Sequence, residues 1–268
     1  MQDSCLKPVV FRGRGITSGR TIEVQIERKP AGHGIVFQLF GAETGEELAI
    51  PATAQFVVNT MRNVVIGQGP VRLCIVEHFL AAAGLFGLDD LLVTVDGPEM
   101  PLGDGSAAFW IDLFKESLWE ARPQTSFANL PETLVIKRGD RVLMAIPDDS
   151  FSMSYLMDWN HPLIGRRWQT WSAEMDWQEI SRARTFGLLK EHEMLGIANQ
   201  VVSLTADGFS QPLHWPDEPV RHKLLDLFGD LMLAGVNPRA WKARFISIKA
   251  GHELDVEMAR KLSRLVGA

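Results

Sequence analysis

Two stretches of this chain run through the same succession of hydrophobic periods, and that repetition narrows the fold more than any other feature. In the first, residues 21–28 alternate, with Ile22, Val24 and Ile26 on one face and Thr21, Glu23 and Gln25 on the other, as in a half-buried strand. A second strand is expected over 34–40, after the turn Lys29-Pro30-Ala31-Gly32. A helix rich in Ala and Leu over 76–85, a strand over 91–95 stopped by Asp96-Gly97-Pro98, and a helix over 107–118 follow. Asp104-Gly105-Ser106 is a turn able to cap that second helix. Then comes Arg122-Pro123-Gln124-Thr125-Ser126, a polar linker containing proline, and the pattern restarts. Strands are expected over 133–137, 141–146 and 151–158, helices over 176–183 and 188–195, and a strand over 201–205. A long helix over 220–234, a strand over 242–249 and a helix over 253–266 complete the chain; in the last, Leu254, Met258, Leu262 and Leu265 share a face. There is no repeat of the residues themselves, yet both halves run strands, helix, strand, helix. Two similarly built α+β units are the expectation.

A length of 268 residues accommodates two domains of the usual ~100–200 residues each. With 46% hydrophobic and 22% charged residues the chain is globular, which excludes disorder and collagen-like repeats. No apolar run approaches the ~18–20 residues of a membrane helix; residues 79–88, among the longest, carry two glycines. The start, Met-Gln-Asp-Ser-Cys, shows neither a basic region nor an apolar one, so no export signal is expected. A net charge of −6 argues against nucleic acid as the main partner, although it leaves room for a basic patch facing one small phosphorylated ligand. Cys5 and Cys74 can form neither a disulfide framework nor a cysteine-rich zinc site, and a reducing cytoplasm is expected. The seven histidines are where chemistry is to be sought.

Three histidines stand out. On the helix 220–234, Val220, Leu224, Leu227, Phe228 and Leu231 form an apolar stripe, and His222, Asp226 and Asp230 recur every fourth residue on the other side. A solvated polar face is the ordinary reading of such a stripe. Here Leu225 and Leu233 flank it, and an imidazole and a carboxylate at i, i+4 can close on one metal ion. Glu77-His78 enters the first apolar helix; Glu77 could merely suit the helix dipole, or His78 could bind a metal with Glu77 as the base beside it. His252, where a strand breaks at glycine and a helix begins, could be a cap. It could equally be a cation that steadies a developing oxyanion or protonates a leaving amine, oriented by Asp230. The glycine-rich 13–19 segment lacks the dinucleotide spacing and a following helix, and is discounted as a phosphate cradle. Ser181-Arg182-Ala183-Arg184-Thr185-Phe186-Gly187 could bind phosphate or cap a helix. Trp159, Trp168, Trp171 and Trp177 read as core and surface cover rather than as a carbohydrate platform.

In combination these segments resemble the zinc-dependent UDP-3-O-acyl-N-acetylglucosamine deacetylases of lipid A synthesis. The likeness runs in order through Val76-Glu77-His78, Asp96-Gly97-Pro98-Glu99-Met100-Pro101, Asp104-Gly105-Ser106-Ala107, the 181–187 segment, Val220-Arg221-His222-Lys223-Leu224-Leu225-Asp226 with Gly229-Asp230, and Ala250-Gly251-His252. The resemblance implies two similar α+β domains, each a layer of helices on a mostly antiparallel sheet, with the active site between them. Residues 1–122 would supply Glu77 and His78, and residues 127–268 would supply Thr185, His222, Asp226 and His252. It also implies zinc held by His78, His222 and Asp226 with a fourth position open, although a ligand set of two histidines and a carboxylate suits ferrous iron too. Glu77 would be the general base, His252 positioned by Asp230 the cationic acid, and Thr185 an oxyanion donor. Lys223 would reach the diphosphate and Phe186 would pack on the substrate. A carboxylate base with a histidine acid gives a bell-shaped dependence of rate on pH.

The reaction so implied is hydrolysis of the N-acetyl group of UDP-3-O-(3-hydroxyacyl)-N-acetylglucosamine, an early committed step of lipid A synthesis. A cytoplasmic monomer is expected that contacts a membrane surface transiently and is not integral to it. Departures from the family pattern keep two alternatives open. The family's Gly-Leu-His-Ser-Gly turn reads Gly15-Ile16-Thr17-Ser18-Gly19, the segment between Phe186 and Val201 is short, with Gly196-Ile197-Ala198-Asn199 in place of a Gly-Gly-Ser run, and Asp255 and Val256 replace an asparagine pair. A paralogue acting on a different acylated amino sugar fits the short segment. A non-catalytic regulator that keeps the fold and zinc would be expected to have lost Glu77 or a ligand, and none is lost.

Overall fold

The computed structural model describes residues 7–40, 47–117 and 119–267. Cys5, the amino-terminal segment read above for export signals, and Leu118 at the expected end of the second helix lie outside them. In the first half the strands are β1 (Val9–Arg14), β2 (Thr21–Arg28), β3 (Ile35–Phe40), β4 (Glu47–Pro51), β5 (Val57–Asn59), β6 (Val65–Gln68) and β7 (Val71–Cys74). Helix α1 (Glu77–Phe86), strand β8 (Leu91–Val95) and helix α2 (Ala108–Glu116) follow. The second half holds β9 (Ala128–Asn129), β10 (Leu134–Arg138), β11 (Arg141–Pro147), β12 (Ser152–Trp159), β13 (Gly165–Ser172), α3 (Gln178–Ser181), β14 (Phe186–Leu188), α4 (Leu189–Leu195) and β15 (Val202–Leu204). It ends with α5 (Glu218–Met232), β16 (Trp241–Ile248) and α6 (His252–Val266).

The two main sheets are built alike. One runs β1-β2-β8-β3-β4 and the other β10-β11-β16-β12-β13. In each, the strand formed last enters the middle, parallel to the third strand and antiparallel to the second. Along those two paths the outer ladders are antiparallel, and the short β9 joins the second sheet by pairing in parallel with the start of β16. A helix precedes each central strand (α1, α5) and another follows it (α2, α6). This is the α+β architecture expected, helices layered on mostly antiparallel sheets. The halves differ in what is inserted between the fourth strand and the first long helix: a three-stranded sheet β5-β6-β7 in one, and the parallel pair β14-β15 around α4 in the other.

Alternation along the strands accounts for the sheets' inner faces. Ile22, Val24 and Ile26 of β2 are all fully buried. Helix α1 is buried along its whole length, packed on its own sheet and against α5. Two glycines allow that contact. A Cβ at Gly229 would overlap the carbonyl oxygen of Glu77, and one at Gly84 would overlap Met232 and Phe228. Aromatic rings fill the space on both sides, with Phe79 5.3 Å from Trp110 in an edge-on pair and Phe228 6.0 Å from Trp171. The result is a hydrophobic core continuous through both halves.

Where structure and sequence pattern part, the cause is local. Strands β1, β4 and β13 lie at sheet edges, and β13 buries only Trp171 fully, so it carries no clean alternation to read. The helix expected over 176–183 is only the short α3, because the chain straightens at Ala183–Thr185 to meet other elements. Asp104 accepts from the amide and hydroxyl of Ser106 at 3.0 and 2.7 Å, but α2 begins after Ala107 with no side-chain cap. Among the described residues no helix is long and apolar enough to cross a membrane.

Candidate active site

Glu77 and His78 open α1, and the chain reaches them through an unusual bend. Ile75 has φ +63°, a conformation that is costly for a β-branched residue. Its amide donates to the Val64 carbonyl at 3.0 Å, and the Val64 amide donates to Glu77 Oε2 at 3.0 Å. The base candidate is thus held by the strand segment beside it, with its side chain almost wholly buried.

Across the glycine contact, α5 presents His222, Asp226 and Asp230 on successive turns, all buried. His78 Nε2 lies 3.5 Å from Asp226 Oδ1, and His222 Nε2 lies 3.4 Å from the same oxygen. One donor atom from each of the three residues falls within 4.8 Å of the others, close enough to share one ion. The imidazoles meet edge to face, with centroids 5.0 Å apart. His222 Nδ1 donates to the Ala183 carbonyl at 2.9 Å, which leaves the Nε2 lone pair turned to the centre.

The charges suit a cation. Burial above all, reinforced by His78 and Lys223, pulls the His222 imidazole down to about 4 despite Asp226, so it is neutral. Burial opposes ionisation of Asp226, but the Lys223 ammonium, with the His78 ring and the His252 cation, outweighs it and holds the carboxyl well below its ordinary range. Lys223 Nζ donates to Asp226 Oδ2 at 2.7 Å. A neutral His222 imidazole, the His78 ring beside it and an ionised Asp226 carboxylate are donor types that a divalent metal takes.

Beside this trio, His252 Nδ1 and Asp230 Oδ2 form a buried ion pair at 2.7 Å. Burial disfavours the imidazolium, yet the charge and hydrogen bond of Asp230, with Asp226 and Glu77 behind them, raise His252 to about 10. Burial in turn holds the Asp230 carboxyl above its usual value. Thr185 Oγ1 donates to the Gly105 carbonyl at 3.1 Å and lies 3.4 Å from His222 Nε2. Gly105, with φ +87°, adopts a backbone that only glycine takes readily, and brings the 104–106 turn of the first half against Thr185. Phe186 packs its ring 6.0 Å from His222 and 5.2 Å from Trp159.

A cavity of about 390 Å³ opens from Lys223 and Phe186, lined also by Tyr155, Trp159, Arg141 and Lys249. Arg141 and Lys249 carry no motif; they meet only because β11 and β16 are neighbours, so the sequence offered no signal for them. Asp255 is a second omission: one turn beyond His252, it is buried with both carboxylate oxygens lacking a hydrogen-bond partner. Three further segments find their places. The amides of Thr17 and Ser18 in the glycine-rich loop donate to Glu99 at 2.9 and 2.7 Å, so a carboxylate occupies that cradle. Of the two arginines in the 181–187 segment, Arg184 turns inward to Glu218 and Arg182 stays exposed. The tryptophans do not form one platform: Trp171 is core, and Trp177 lies under Lys115 at 4.8 Å.

Known proteins match this chain over nearly its whole length. The family model described as UDP-3-O-acyl N-acetylglycosamine deacetylase matches residues 2–264. A UDP-3-O-acyl-N-acetylglucosamine deacetylase of Nostoc sp. is 36% identical over 98% of this chain and 99% of its own length. Those of Myxococcus xanthus and Coxiella burnetii are 34% and 30% identical, covering 97% and 96% of this chain and 86% and 88% of theirs. A match of that extent, on a chain whose halves share one topology and meet at a buried His, His, Asp cluster, has one conclusion: the protein belongs to the UDP-3-O-acyl N-acetylglycosamine deacetylase family, amide hydrolases.

Proposed function

We propose that this protein hydrolyses the N-acetyl group of UDP-3-O-(3-hydroxyacyl)-N-acetylglucosamine, releasing acetate and the free amine, as an early committed step of lipid A synthesis. The observation that carries the reading is the convergence of His78 from α1 with His222 and Asp226 from α5, beside Glu77 and the Asp230–His252 pair. His78, His222 and Asp226 would hold zinc, or ferrous iron where that metal is more available. When bound there, the ion supplies Lewis acidity to the acetyl carbonyl and acidifies water.

The chain's own groups do the rest. Glu77, kept in place by the Val64 amide, takes the proton from the attacking water. The Thr185 hydroxyl, turning from the Gly105 carbonyl, donates to the developing oxyanion. His252, held as a cation by Asp230, steadies that charge and then gives its proton to the departing amine. Lys223, Arg141 and Lys249 line the adjoining cavity together with Asp140 and Asp158; each cation is paired with a carboxylate, Asp226, Glu253 and Asp140 in turn, and a diphosphate would enter by sharing or replacing those partners, while Phe186 and Trp159 offer apolar faces to the sugar nucleotide. We assign residues 1–122 and 127–268 to the two domains, and infer a cytoplasmic monomer whose contact with a membrane surface is transient.

Acetate release from the acylated UDP-sugar tests the proposal. Glu77→Gln should lower kcat about 10²–10⁴-fold while metal content per chain stays at the wild-type level. Release near the wild-type rate would overturn the assignment of the base. A wild-type protein that holds stoichiometric zinc yet releases no acetate would overturn the reaction itself.

A further inference from the structure

The Ser181–Gly187 segment contains a buried arginine that no step above uses. Arg184 is only 8% exposed, and its guanidinium is committed on every side. Nε donates to Glu218 Oε1 at 2.8 Å, Nη2 to Glu218 Oε2 at 3.1 Å and to the Pro212 carbonyl at 2.7 Å, and Nη1 to Gln211 Oε1 at 3.0 Å. Its own amide donates to Glu218 Oε1 at 3.1 Å. Glu218 is 1% exposed and also takes the His214 amide at 2.6 Å. It is the first residue of α5, where the helix dipole favours a carboxylate, and it stands one turn before His222.

The neighbours of Arg184 give this pair its consequence. On one side, Ala183 offers the carbonyl that takes the proton of His222 Nδ1. On the other, Thr185 carries the hydroxyl 3.4 Å from His222 Nε2 and donates its amide to Gly105 at 2.7 Å. Ala183 therefore selects the His222 tautomer and Thr185 faces the reacting centre, while the residue between them is bolted to the turn of α5 that bears His222. A forked, two-point arginine–carboxylate contact fixes direction as well as distance. A buried ion pair adds little net stability over apolar packing, which makes geometry the better account of this one.

We propose that the Arg184–Glu218 pair is a positioning clamp that registers the 183–185 segment against α5, so that the metal-facing nitrogen of His222 and the Thr185 hydroxyl are set together. The clamp rests on the metal-site reading above. Its test is chosen to be readable without substrate.

The experiment compares the full chain with Glu218→Gln, which keeps the shape and removes the charge. With zinc loaded, competition by a chromophoric chelator should show the metal leaving about 10–100-fold faster, the range for partners that orient metal ligands. kcat at saturating zinc should fall by a similar factor, with KM within about twofold. In the metal-free protein, ¹⁵N shifts of labelled imidazoles should show His222 as the Nδ1–H tautomer in the wild type and as a tautomer mixture in the variant. Ile136→Ala, a buried truncation on the edge strand β10, is the control for lost stability and should leave the metal release rate unchanged. If Glu218→Gln does not fold, Gln211→Ala, which removes one guanidinium partner and strands no charge, is read the same way with a smaller effect. A variant destabilised like Ile136→Ala, but with the wild-type metal release rate and a single His222 tautomer, would overturn the clamp. A wild-type protein without acetate release would remove the proposed reaction and leave the clamp standing, because tautomer and metal release are read independently.

Discussion

At position 255 burial and charge work against each other. The Asp255 carboxyl is enclosed with neither oxygen bonded, and burial, then the negative charge of Asp230, holds it well above the usual range against His252 and Lys223. Asp226 from α5 adds to the repulsion, and Tyr155 of β12 faces the same group. Folding therefore moves the titration of this carboxyl upward in pH from the ordinary value of about 3.9 that it has in the unfolded chain. The folded pKa is raised, so the stability cost is absent in acid and grows as pH rises, by up to about 1.4 kcal/mol per unit. Asp255→Asn keeps the shape and abolishes the titration. In the metal-free protein, urea unfolding should find the variant more stable than wild type, with a gap that widens from pH 5 to pH 8. A constant gap would mean the carboxyl is ionised in the fold.

Two helices from different halves form the site, and their separation is set where Gly229 meets the backbone of Glu77. In an exposed helix, glycine to alanine stabilises by roughly 0.5–1 kcal/mol. Here the added methyl would press on a carbonyl oxygen, which cannot swing aside as a side chain can. Gly229→Ala should therefore destabilise, by about 1–3 kcal/mol in denaturant unfolding. It should also weaken zinc in a direct titration by more than tenfold, because His78 is carried away from Asp226 along with its helix. A stabilised variant would show that the helices have room to spare. The same contact explains why α1 needs no polar face. Its whole surface is covered, and its one chemical edge is the first turn, where Glu77 and His78 lie.

For the molecule as a whole, the two halves already share one hydrophobic core, so the metal is not what holds them together. Removing it should leave a folded protein. Calorimetry of chelated against zinc-loaded samples should show a single transition in both, with the loaded form more stable by about 2.7 kcal/mol when free zinc is a hundred times its dissociation constant. A chelated protein lacking a cooperative transition would show instead that the site supports the fold.

Spacing along the chain was enough to find β2, β8 and α6 almost to their ends, and to place His222, Asp226 and Asp230 on one side of a helix. A period of two or of about 3.6 residues is a local property that neighbours in sequence carry between them. It was likewise enough to see the same order of elements twice. Packing alone decided the rest. That His78 lies beside Asp226 depends on a glycine contact between helices some 150 residues apart, roughly, along a chain whose core must first be filled. Whether Arg184 met a phosphate or Glu218, and whether Asp255 carried a charge, turned on burial, which no short stretch of sequence contains.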